Sequence, residues 1–165
     1  MKKTILFLLL FSALFVSAAT HDVRLFTIDG VYYNSKKVRK QRSTKYIVVD
    51  FFSSTCQPCV ESLPKLEKLY KKYHLKGLKV VVVAQPAGFD SEKIEKQKLT
   101  EIASTHKISF PMVFDMWQKA AERYKVGKDG SYDVPQYFIL NKKGKIIFTA
   151  RKFKELEKKI VTIMK

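Results

Sequence analysis

Two uninterrupted Val-rich runs, KYIVVDFF (Lys45 to Phe52) and LKVVVVA (Leu78 to Ala84), limit the folds open to this chain more than any other feature. Apolar runs of strand length without polar alternation suit strands covered on both faces, as in the centre of a parallel sheet. Between them Val60, Leu63, Leu66, Leu69 and Tyr73 recur every three or four residues, the apolar stripe of a helix with Lys and Glu opposite. The spacing predicts a helix over about residues 57–75, bent at Pro64, which lacks a backbone donor, and ended by a left-handed cap at Gly77. Strand, helix and strand make a βαβ unit.

Downstream, SEKIEKQKLTEIASTH reads as a helix capped by Ser91, with Ile94, Leu99 and Ile102 inward. ISFPMVFD reads as a short strand, and WQKAAERYKV as a short helix burying Ala120, Ala121 and Tyr124, followed by a loop flanked by Gly127 and Gly130. PQYFIL, NKKG and KIIFTA give strand, turn and strand. FKELEKKIVTIM closes the chain as a helix with Phe153, Leu156, Ile160 and Ile163 inward. Alternation around VRLFTIDGVYY predicts a small leading hairpin turning at Asp29-Gly30. The order implies an α/β sandwich on a mixed sheet, parallel in the βαβ unit and antiparallel in the hairpin.

The first residues place Lys2 and Lys3 before an apolar run from Ile5 to Val16, followed by small residues suited to cleavage after Ala18 or Ala19. That run is shorter than the roughly 20 residues needed to span a bilayer. The expected organisation is a cleaved signal peptide over residues 1–18 and a single domain over 19–165, exported to the periplasm or another extracytoplasmic space, where disulfides persist. The formal charge of +17 favours anionic partners. The cations are scattered along the sequence without interleaved aromatics. A solvated Lys-rich surface is therefore expected, with peripheral contact to an anionic membrane surface as the alternative and no nucleic acid.

Both cysteines lie in DFFSSTCQPCVESLP (Asp50 to Pro64), two residues apart. A closed zinc site needs two further ligands, and His21, His74 and His106 do not supply a second pair at suitable spacing. No metal and no cofactor are expected. A bridge closing about four residues stabilises by only roughly 2 kcal/mol before strain is subtracted, so a structural staple is a weak reading in a chain long enough to build a core. A reactive pair fits the placement: after a buried strand and at the opening of a helix, Cys56 meets unpaired N–H groups and the helix dipole, which favour a thiolate. Thiol pKa values of roughly 3.5 to 7.5 occur in such settings. Cys56 then attacks and Cys59, one turn inward, resolves, while Pro58 suits the first helical turn.

VVDFFSSTCQPCVESLPKLEKLYKKY resembles the active-site segment of thioredoxin-fold proteins. ISFPMVFD, DVPQYFILNKKGKI and the leader resemble the exported TlpA/ResA-like branch, over roughly Lys45 to Ala150. The resemblance implies a thioredoxin-like three-layer α/β/α sandwich with a mixed central sheet, and thiol–disulfide exchange. Cys56 matches the attacking cysteine and Cys59 the resolving one. Val134-Pro135 matches the cis-proline loop that lies against the disulfide and holds a substrate strand; without the resemblance a trans bond is expected, since only about 5–6% of X–Pro bonds are cis. Thr55, Gln57 and Pro58 fall at substrate-contacting positions. Asp50 matches the buried aspartate of thioredoxin; with Val48 and Phe52 on one strand face, its pKa is expected to rise, as suits a proton shuttle for Cys59. Two positions depart from the pattern. Thr55 replaces the usual Trp before the first cysteine, and Ser62 stands where several relatives carry an acid, with Glu61 expected to point elsewhere.

Reduction potentials on this fold run from about −270 mV to −120 mV. Gln57-Pro58 adds no histidine or cation that would further stabilise the thiolate, so a reductase of disulfides in exported proteins is expected, rather than an oxidase, an isomerase or a non-catalytic basic binding module. A peroxidase reading is weaker still. By resemblance the partners are oxidised clients such as apocytochrome c and a membrane electron-donor protein.

Overall fold

The computed structural model describes residues 20–86, 92–127 and 133–165. The expected leader, the Ser91 cap and Gly130 fall outside them. In chain order the elements are β1 (Arg24–Phe26), β2 (Tyr32–Asn34), α1 (Ser35–Lys40), β3 (Tyr46–Ser53), α2 (Gln57–Tyr73) with a 3-10 turn at His74–Lys76, β4 (Leu78–Gln85), α3 (Glu92–Thr105), β5 (Met112–Phe114), α4 (Lys119–Tyr124), β6 (Gln136–Asn141), β7 (Ile146–Ala150) and α5 (Phe153–Ile163).

The two Val-rich runs become β3 and β4, paired in parallel at the centre of a five-stranded sheet of order β5-β4-β3-β6-β7. β5 adds a second parallel pairing, whereas β6 and β7 run antiparallel. Side chains alternate across the sheet. Val48 and Phe52 of β3, with Val80 and Val82 of β4, meet Leu63 and Leu66 of α2, Leu99 of α3 and Leu156 and Ile160 of α5. Ile47, Val49 and Phe51 meet Ala120, Ala121 and Tyr124 of α4 on the other face, where Tyr33 and Val38 close the layer. The result is the three-layer α/β/α sandwich with a mixed sheet. α2 continues past Pro64 to Tyr73, and Gly77 takes the left-handed conformation at φ 105°. A Cβ there would lie 2.5 Å from the Ser43 carbonyl oxygen, so both the turn and the close approach require glycine.

The leading hairpin forms as expected, with Gly30 at φ 81°, and joins the β5 edge through a bridge between Thr27 and Val113. The sequence reading lacked α1. Its start is fixed by Asn34, whose side chain accepts from the N–H groups of Lys36 and Lys37 at 3.0 and 3.4 Å, an N-cap hidden behind a strand-like Tyr-Tyr-Asn. α1 carries Arg39, which is buried and makes a two-pronged ion pair with buried Asp22, Nε to Oδ1 at 2.8 Å and Nη2 to Oδ2 at 3.0 Å. Burial alone would raise the Asp22 carboxyl; the Arg39 guanidinium overrides this and holds it low. In α3 the inward positions differ from expectation: Leu99 is buried, but Ile94 is 44% exposed and Glu95 is fully buried. The helix is turned so that Glu95 and Leu99, one turn apart, face inward, because the Glu95 carboxylate has a partner there.

Candidate active site

The site is built where β3 ends. Ser53 is its last residue, Ser54 and Thr55 make a turn, and the Cys56 N–H donates to the Ser53 carbonyl at 3.1 Å. Cys56 is the N-cap of α2 and is half-buried, with Gln57 and Pro58 exposed in the first turn. Cys59 is fully buried in the core beneath it. The two are joined by a disulfide with Cα atoms 5.2 Å apart. Cys56 Sγ also lies 3.3 Å from the Cys59 N–H, which points at it as a donor. Once the bond is reduced, that N–H and the helix N-terminus favour negative charge on Cys56. One sulfur reaches the surface and the other does not. The chemistry of this arrangement is dithiol–disulfide exchange.

β6 places the second part of the site. Phe51 pairs with Gln136, so the residues preceding β6 lie beside the cysteine turn. The Val134–Pro135 peptide is cis, and Val134 packs against the core that holds Cys59. Arg151, following β7, pairs through both guanidinium nitrogens with Asp133 just before this loop. Thr55 is exposed and shares a 3.1 Å hydrogen bond with Ser53.

Asp50 sits on the face of β3 that carries Val48 and Phe52 and is fully buried. Among the described residues, neither carboxylate oxygen has a hydrogen-bond partner. Burial pushes its carboxyl well above the usual carboxylate range. Its cross-strand neighbour is Tyr137, whose phenol is raised first by burial and then by the Asp50 charge. Tyr137 donates to Ser62 Oγ at 3.0 Å, and Ser62 donates to the Cys59 carbonyl at 2.7 Å. Ser62 therefore does not act as an acid; it ties the resolving turn of α2 to β6. Glu61 points away, accepting from Gln57 at the surface at 3.0 Å.

Two features escaped the sequence reading. Tyr137 reads in the sequence only as a strand residue. Glu95 accepts from Ser54 Oγ at 3.0 Å and from Lys98 at 3.3 Å, fastening α3 to the turn that presents Cys56. No local signal marks either contact, since each joins residues far apart in sequence.

The thioredoxin-like protein YneN of Bacillus subtilis (strain 168) is 30% identical over 146 residues, covering 84% of this chain and 75% of its own length. The thiol-disulfide oxidoreductase ResA of Bacillus anthracis is 26% identical over 113 residues; this chain spans 58% of its length. The crystal structure of a secreted Mycobacterium tuberculosis disulfide oxidoreductase superposes with a TM-score of 0.67 at 15% identity, over 86% of this chain and 96% of that one, a likeness of fold. Residues 18–149 match the AhpC/TSA family, and with the thioredoxin-like sheet and the helix-capping cysteine pair in place, the chain belongs to it.

Proposed function

We propose that this chain is an extracytoplasmic thiol–disulfide oxidoreductase that reduces disulfides in exported proteins. The observation that carries the reading is the asymmetry of the pair, Cys56 half-buried at a helix N-terminus and Cys59 fully buried behind it. The Cys56 thiolate attacks one sulfur of a client disulfide, and the other client sulfur leaves as a thiolate that takes a proton. Cys59 passes its proton to Asp50 and attacks Cys56 Sγ, breaking the mixed disulfide, and the second client sulfur leaves as a thiolate that takes a proton from solvent. The client gains two electrons and two protons, and Cys56–Cys59 becomes the disulfide seen here. A membrane electron-donor protein returns the pair to the dithiol.

Val134 and Pro135 hold the client strand against the disulfide, with Thr55, Gln57 and Pro58 on the other side of the exposed sulfur. Thr55, where relatives carry Trp, leaves this side open to bulkier clients. Export is supported by the Lys-Lys start, the apolar run from Ile5 to Val16 and the small residues after it, and by the secreted relative of the same fold. Residues 1–18 are the cleaved leader in this reading.

The test is trapping. Expressed in an exporting bacterium, Cys59→Ser holds mixed disulfides with its clients, and Cys56→Ser holds none and no longer reduces insulin. A Cys59→Ser variant that captures nothing removes the exchange function, and an equilibrium with glutathione near −120 mV reverses its direction to oxidation.

A further inference from the structure

The cations that look scattered along the sequence converge in space. Residues 30–49, 68–89 and 134–150 contain no Asp or Glu and supply six, five and three Lys or Arg. The sheet brings their charged ends together, because Tyr46 at the start of β3 pairs with Leu78 at the start of β4 and with Asn141 at the end of β6. All three strands therefore meet at the pole of the sheet opposite the disulfide. Lys40, Arg42, Lys45, Lys76, Lys142 and Lys143 are exposed there. Among the described residues none of the six pairs with a carboxylate. Arg42, Lys45, Lys142 and Lys143 line a concavity of about 460 Å³, and the Lys142 ammonium bonds the Arg42 carbonyl at 3.3 Å, holding two of its walls together.

One more observation says what covers this pole. Leu75, the middle residue of the 3-10 turn, is 86% exposed, an apolar tip with Lys72 and Lys76 on either side of it in sequence.

We propose that this pole docks on an anionic membrane surface, with Leu75 entering the headgroup layer and the disulfide facing away. β3 has 8 residues, which at about 3.3 Å each lifts Cys56 about 25 Å from the lipid, within reach of clients in the compartment. Charge complementarity favours anionic lipid, and the exposed leucine favours a bilayer over a nucleic acid, for which this pole lacks a stacking platform. The proposal goes beyond the redox reading and does not depend on it.

The experiment measures partition of the mature protein, residues 19–165, onto vesicles of phosphatidylcholine with and without 30% phosphatidylglycerol, at low and high salt. Each basic residue near such a surface contributes roughly a fivefold factor, so Arg42→Gln/Lys142→Gln/Lys143→Gln lowers partition onto the anionic vesicles about 100-fold. Lys119→Gln/Lys152→Gln/Lys154→Gln, with the same charge loss at the active-site pole, lowers it less than threefold. Both triple variants keep the wild-type far-UV circular dichroism and a cooperative thermal melt, which confirms their folding. A Leu75→Trp variant gains blue-shifted, acrylamide-protected fluorescence on anionic vesicles, whereas Trp117, the chain's own tryptophan at the other pole, stays open to quenching. Equal losses in the two triples, protection of Trp117, or tighter binding to duplex DNA or RNA than to the vesicles overturns the proposal.

Discussion

Tyr137 donates its phenolic hydrogen to Ser62 Oγ at 3.0 Å, and both side chains are buried. Ser62 passes the link on to the Cys59 carbonyl at 2.7 Å, so a strand residue far along the chain steadies the turn that holds the buried sulfur. Ser62→Ala strands a buried phenol and is expected to lower stability by about 1–3 kcal/mol, while Tyr137→Phe, which leaves a hydroxyl with another partner, lowers it by about 1 kcal/mol. The double variant falls short of the sum, because the two share one bond. Urea unfolding of the three proteins measures this.

Asp50 should make stability fall as pH rises. Its folded carboxyl is raised far above the reference value of 3.8 by burial. Below that value both folded and unfolded states hold the proton and the group contributes nothing. Above it the unfolded chain releases the proton first, so the unfolded state binds fewer protons and stability declines until the folded carboxyl also titrates. Asp50→Asn therefore melts higher than wild type at pH 8 and level with it near pH 3.5. If Asp50 takes the Cys59 proton, the same variant resolves mixed disulfides about 100-fold more slowly at pH 7, and the gap narrows at high pH, where Cys59 ionises unaided. A variant slowed equally at every pH would leave Asp50 a packing residue.

Reduced protein exposed to iodoacetamide across a pH series should alkylate at Cys56 alone. The midpoint is expected in the range of roughly 3.5 to 7.5 found at helix N-termini, below the value of about 8.5 for free cysteine. Cys59, fully buried, reacts only after unfolding. Equal reactivity of both thiols with a free-cysteine profile would remove the basis for the attacking role.

The Asp22–Arg39 pair gives the opposite pH response to Asp50. Its carboxylate is held low against burial by the guanidinium, so the pair stabilises fully above pH 3.8 and its contribution is lost as pH falls below that value. Arg39→Ala leaves the buried Asp22 charge unpaired and is expected to lower stability by about 3–5 kcal/mol. Arg39→Lys does not restore it, since one ammonium cannot fill a two-pronged site. Thermal melts at pH 7 and pH 3 separate the two effects.

What could be read in the sequence was whatever neighbouring residues decide. Continuous Val runs identify β3 and β4, and the spacing of Leu63, Leu66 and Leu69 sets the buried face of α2. Cys56 falls where strand gives way to helix, which places it at the N-terminus of α2 before any contact is known. What stayed hidden depends on partners distant in sequence. Periodicity nominated Ile94 as the inward residue of α3, but a hydroxyl on Ser54 makes burial of Glu95 favourable. The cis Val134–Pro135 bond came from resemblance, since local chemistry favours trans. The basic pole is the clearest case: three dilute stretches become one field only when the ends of β3, β4 and β6 are set side by side.

The sheet order also governs when the reactive sulfurs gain shelter during synthesis. β3 leans on β4 on one side and on β6 on the other, and β6 is synthesised well after the cysteine pair. Cys56 and Cys59 thus leave the ribosome well before the strand that completes their scaffold. For that interval they behave as ordinary nascent-chain thiols, open to pairing with whatever emerges beside them, and the fold protects its own chemistry only once the final hairpin has arrived.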